Sequence, residues 1–153
     1  MATFENVAKL VKEWQPQRCA TELKYRNSLS TFLRGRLKDA KVETEYRHKG
    51  TTIDIYVKQR GFFGGSSEVF IELKRNLLHK AQLDRLVGQV ESLEPHKNAI
   101  LVILCGQTNP ALVTRFKERY QRGDILDGLL VLSTEPILVI VKEELGAAKA
   151  AKA

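Results

Sequence analysis

Cysteine is scarce in this chain of 153 residues: Cys19 and Cys105 stand far apart, in no C-x-x-C pattern. That excludes a disulfide-stapled scaffold and a cysteine zinc site. Cys105 closes the apolar run AILVILCG and reads as core. Histidine is scarce too. His48, His79 and His96 have no metal-ligand spacing, and each is expected at the surface. No strand–GxxxxGK–helix phosphate loop occurs, so a nucleotide-driven motor is excluded, and any motor or helicase partner would be a separate chain. No apolar run is long enough to span a bilayer. The opening MATFENVAKLVKEW carries charges where a signal peptide needs an apolar centre. The expectation is a cytoplasmic protein without membrane association. No internal repeat is visible.

What is present is a basic globular composition. Hydrophobic residues make up 43% and charged residues 28%, enough apolar side chain for one cored domain. We expect that domain over residues 1–145, followed by the low-complexity basic tail 146–153. The net charge is +7, which favours polyanionic partners. The excess is uneven: residues 1–50 hold eleven Lys/Arg against six Asp/Glu, whereas each later third holds seven against six.

Residues 3–15 read as a weak helix ended by Pro16. Residues 19–38 read as a stronger one, with Tyr25, Leu29, Phe32, Leu33 and Leu37 on one face. Glu22 is expected on that buried face. KVETEYRHK, TTIDIYVKQ and EVFIELKR alternate as strands, with turns at Gly50 and at GFFGGSS. Residues 78–94 read as a helix, KNAILVILCG as a strand covered on both faces, and Asn109-Pro110 as the cap of a helix stopping at Gly123. GLLVLST and PILVIVKE read as late strands. Phe62 and Phe63, at a hairpin tip, read as buried, as a dimer contact, or as a wedge between bases. The fold class is α/β, a mixed central sheet flanked by helices.

Inside the central hairpin, period-two alternation puts Ile53, Ile55 and Val57 on one face and Asp54, Tyr56 and Lys58 on the other. In the returning strand Phe70, Glu72 and Lys74 share a face. If the turn is symmetric about Phe63, Asp54 faces Glu72 and Thr52 faces Lys74. Opposed residues have Cβ atoms roughly 4.5–5.5 Å apart, so two carboxylates would repel there unless a cation offset them.

These residues resemble the PD-(D/E)xK nuclease superfamily, the restriction-endonuclease-like fold with its αβββαβ core. The motif here is Ile53-Asp54 … Glu72-Leu73-Lys74, within residues 19–105. Glu22 matches the helix-one glutamate of many members, and Gln89 in DRLVGQVESL the glutamine that several branches place after E-x-K. The residue before Asp54 is Ile53 rather than proline. Each position has a plainer reading as well. Glu72 and Lys74 could be a strand-face pair, Asp54 a turn residue, Glu22 a helix partner of Arg18 or Arg26 worth ~0.3–0.5 kcal/mol, and Gln89 a surface glutamine. Their joint placement favours the family.

The resemblance implies a Mg²⁺- or Mn²⁺-dependent DNA endonuclease. Asp54, Glu72, the Leu73 carbonyl and Glu22 would be the metal ligands, and Asp54, Glu72, Lys74 and Gln89 the catalytic set. Hard cations prefer oxygen ligands and activate bound water, while a lysine beside them holds that water or counters charge on phosphorus. Arg18, Lys24, Arg26, Arg34 and Arg36 are expected to contact phosphates. Small basic members include junction resolvases, which act as dimers on branched or recombination and repair DNA. A homodimer is therefore implied, and sequence-specific restriction ranks lower. The alternative is a non-catalytic nucleic-acid-binding or scaffold domain on the same fold, and a third reading is an interaction protein charged only for solubility.

Overall fold

The computed structural model describes residues 3–61, 64–120 and 136–142. Their order is α1 (Thr3–Glu13), α2 (Glu22–Arg36), β1 (Ala40–His48), β2 (Thr51–Arg60), β3 (Ser66–Leu77), α3 (Lys80–Ser92), β4 (Ala99–Thr108), α4 (Pro110–Tyr120) and β5 (Ile137–Val141). The Phe62-Phe63 tip, the Gly123 stop, the GLLVLST strand and the 146–153 tail lie outside the described residues.

The strands form one sheet in the order β1-β2-β3-β4-β5. β1 pairs with β2 and β2 with β3 in antiparallel fashion, while β3 with β4 and β4 with β5 pair in parallel. The α/β class and the mixed sheet thus stand as expected. One apolar cluster joins α1 and α2 to Val42, Ile55, Val57, Val69, Ile71 and Leu73. The other joins α3 and α4 to Ile53, Tyr56, Phe70 and Leu77. β4 contributes to both, with Leu101 and Ile103 on one side and Ile100, Val102 and Leu104 on the other. A strand apolar at every position is what two covered faces require.

Helix starts differ from the expected spans for local reasons. The Thr21 hydroxyl accepts the Lys24 amide at 3.2 Å, so α2 opens at Glu22 rather than at residue 19. Gln82 Oε1 accepts the amides of Leu78 and His79 at 2.8 and 2.9 Å, and α3 opens just after them. Asn109 Oδ1 accepts the Ala111 amide at 3.0 Å, and Pro110 is the first residue of α4, as the sequence predicts. α1 is not weak: Val7, Ala8 and Val11 are buried, and Trp14 behind them bonds Ser28. His48 is not at the surface either; it is half-buried with its ring 4.9 Å from Phe70. At the β1–β2 turn, Lys49 and Gly50 both have positive φ, +49° and +81°. That is the primed turn matching strand twist, and a second-position glycine suits it.

Candidate active site

The hairpin register runs from Arg60–Ser66 to Ile55–Ile71, so partners sum to 126 as the symmetric turn predicts. There it stops. The expected continuation through Asp54–Glu72 to Thr52–Lys74 does not form, while β3 goes on pairing with β4 on its other side, Lys74 with Leu104. Between β1 and β2 the Glu45–Asp54 pair is also skipped. Glu45 has φ +52°, a left-handed backbone that costs a non-glycine residue of order 1 kcal/mol or more. This twist turns the strands over. Ile53 packs with Tyr56 and Phe70, not with Ile55 and Val57, which corrects the strict alternation expected of β2. Asp54 sits at the break.

Where β2 leaves β3, β3 presents amide donors to no strand. Alternate residues direct their N–H groups to the same edge. The Leu73 amide donates to Asp54 Oδ2 at 2.8 Å. Two residues on, the Arg75 amide donates to Glu22 Oε1 at 3.0 Å. Two carboxylates from distant elements therefore replace the lost ladder, roughly 6.6 Å apart along the strand. The Glu72 side chain stands beside Asp54, and Lys74 Nζ lies 3.5 Å from Glu22 Oε1.

Glu72 is 4% exposed, which is rare for a carboxylate. Burial, then the nearby charge of Asp54, push its pKa up to about 9. Burial raises that of Asp54 as well, against the pull of the Leu73 amide. The two carboxyls stand close enough that burial and mutual repulsion disfavour both being charged at once.

Glu22 is not on the buried face of α2. It is the first residue of the helix, and its side chain is 47% exposed. It pairs with neither Arg18 nor Arg26; Arg26 Nη1 instead donates to Glu45 Oε1 at 2.9 Å, holding the twisted residue beside Asp54. Gln89 is exposed on α3, and among the described residues no hydrogen bond joins its side chain to Asp54, Glu72 or Lys74. The basic residues divide. Arg18 and Lys24 are exposed near the start of α2, and Arg26 is drawn into the site. Arg34 donates twice to the Val42 carbonyl, and Arg36 lies over Phe32 and near Glu13. Those two sit at the far end of α2, about 20 Å from Glu22.

Sequence reasoning missed the residues that set this end of β3. Asn76 has φ +59°, and the β3–β4 register shifts between Arg75 and Leu77. Its Oδ1 accepts the Gln107 amide at 2.9 Å. Gly106, at φ +74°, leaves room for that oxygen; a Cβ there would collide with it. Arg75 Nε donates to the Cys19 carbonyl at 3.1 Å, pinning the segment before α2 to β3. The only sequence signal was asparagine's tolerance of positive φ.

Family models, curated proteins and solved structures give no match to this chain. Among the described residues no group of three or more His, Cys, Asp or Glu side chains is placed to hold a metal ion. The protein's side-chain offer at this site is the two carboxylates Asp54 and Glu72. That donor set fits Mg²⁺, which typically keeps several waters and takes one or two carboxylates plus substrate phosphate.

Proposed function

We propose that the protein is a Mg²⁺- or Mn²⁺-dependent DNA endonuclease with a restriction-endonuclease-like core, acting on branched or recombination and repair DNA. The observation that carries this reading is the Asp54–Glu72 pair on an abandoned strand edge, Glu72 buried and Asp54 half-buried, with Lys74 next along the same strand face. Buried charged groups without a structural counter-ion are costly, and sites of chemistry are where such cost is met.

Asp54 and Glu72, with the Leu73 carbonyl, would hold the cation; when bound it supplies an activated water and charge stabilisation at phosphorus. The remaining work belongs to the chain. Lys74, one face-step from Glu72, orients the attacking water or counters charge on the phosphate. Arg18 and Lys24, exposed near the start of α2, meet the backbone of the approaching DNA. Gln89 reaches substrate only if substrate comes over α3.

The test is cleavage of labelled linear duplex, single strand, flap and four-way junction with Mg²⁺, Mn²⁺ or EDTA. Lys74→Ala should lower the rate by about 10²–10⁴-fold while DNA binding persists, the range that a positioned proton-transfer or electrostatic group supplies. Metal-dependent cutting lost in Lys74→Ala and Asp54→Asn supports the reading, and the preferred DNA names the role. No cutting of any substrate, with undiminished binding, would leave a nucleic-acid-binding domain.

A further inference from the structure

Resting on that reading, we infer that Glu22 is a positioning residue for Lys74 and not a ligand of the cation. Three observations converge. The Arg75 amide donates to its Oε1 at 3.0 Å, and a main-chain donor fixes the direction of the carboxylate. The same oxygen faces Lys74 Nζ at 3.5 Å. And Glu22, Asp54 and Glu72 do not together form a metal-holding group among the described residues.

The arrangement has a mechanical logic. Lysine has a long, rotatable stem and a point charge, so it aims poorly unless something holds its end. Lys74 follows Glu72 on the strand face, while Glu22 enters from the opening of α2. The Arg75 amide, next in sequence to Lys74, holds the carboxylate, and the carboxylate holds the ammonium. The Arg75 guanidinium, bound to the Cys19 carbonyl, ties the approach to α2 to the same stretch of strand. The first residue of α2 and the segment before it are thus fastened to β3 at two points, both on Arg75. Lys74 is 19% exposed on its side chain, open enough for a phosphate to reach it.

Glu22→Gln and Glu22→Ala separate the two roles. The glutamine keeps an oxygen for the Arg75 amide and loses the charge that faces Lys74; the alanine loses both. Mn²⁺ binding to the wild type, both variants and Asp54→Asn is measured by titration calorimetry, and exchange of the Arg75 amide by NMR. Cleavage is measured on whichever DNA the wild type cuts. We expect both Glu22 variants to bind Mn²⁺ within about twofold of wild type, while Asp54→Asn loses binding by about tenfold or more, as loss of a liganding group does. Glu22→Gln should lower kcat by about 10–100-fold with KM nearly unchanged, a loss of positioning. Only Glu22→Ala should speed Arg75 exchange.

A tenfold weaker Mn²⁺ affinity in Glu22→Gln, with the wild type cutting DNA, overturns the assignment alone and makes Glu22 a ligand. An unchanged kcat in Glu22→Gln overturns it too. A wild type that binds Mn²⁺ yet cuts nothing overturns the hydrolytic reading, and the Lys74 role falls with it.

Discussion

Glu72 shows how one residue links chemistry to stability. Its carboxyl is neutral in the fold at pH values where the unfolded chain, near 4.5, has already lost the proton. The folded state therefore binds more protons between the two values. Stability from this group is fully present below about 4.5 and is lost as pH rises toward about 9. Glu72→Gln removes the dependence. In divalent-free buffer at pH 8 the variant should be more stable than wild type by on the order of 2 kcal/mol, and urea midpoints between pH 5 and 9 should flatten. Adding Mg²⁺ should raise the wild-type midpoint and leave that of Glu72→Gln nearly unmoved. A parallel pH slope in both proteins would show that the buried proton is not on this pair. The single-residue features were partly legible. Asp54, Glu72 and Lys74 stood out as charges inside apolar strands, because alternation is local. Glu22 was legible as a residue but not by its surroundings: helical periodicity placed it on the apolar face, whereas the Thr21 cap makes it the first, exposed residue of α2.

At the scale of elements, strands and helices were legible where their periods are strong, and the register of the hairpin followed from a symmetric turn. What escaped was every place where a strand departs from its period. Nothing in EYRHK marks Glu45 for a left-handed backbone, because the cause is partly an ion pair with Arg26 on another element. Likewise the end of β2–β3 pairing is decided by carboxylates arriving from residues 54 and 22, a tertiary event no window can see. The Asn76–Gly106 contact belongs to the same class. Gly106→Ala forces a Cβ against Asn76 Oδ1 at a φ of +74°. It should cost about 1–3 kcal/mol in urea unfolding, and Asn76→Gly, which removes the obstructing oxygen and tolerates positive φ, should recover part of that loss in the double variant. Additive losses would mean that the two residues do not meet.

Over the whole molecule, the +7 net charge is not one uniform basic face. Arg34 and Arg36, though exposed, contact α2's neighbours at its far end, whereas Arg18 and Lys24 lie near its start, on the side of the candidate site. Binding to a duplex should weaken linearly in log salt; replacing Arg18 or Lys24 by Ala should each reduce the slope by about 1, while Arg36→Ala leaves it unchanged. Equal slopes in all variants would put the DNA on another face. The covering of both sheet faces was legible from the unbroken apolar run of β4, but the division of the cations was not, since charge counts do not say which guanidiniums already have partners. The parting of β2 from β3 carries one last implication, for how such a protein could change over generations. The oxygen of Asp54 that serves the Leu73 amide is a piece of the sheet as well as a piece of the site. If the proposed hydrolysis holds, a descendant that gave it up would still need an acceptor at position 54, and asparagine would satisfy the strand without serving as a cation ligand. Under that proposal, loss of activity would leave a recognisable fossil: an amide at 54, with Glu72 free to become apolar.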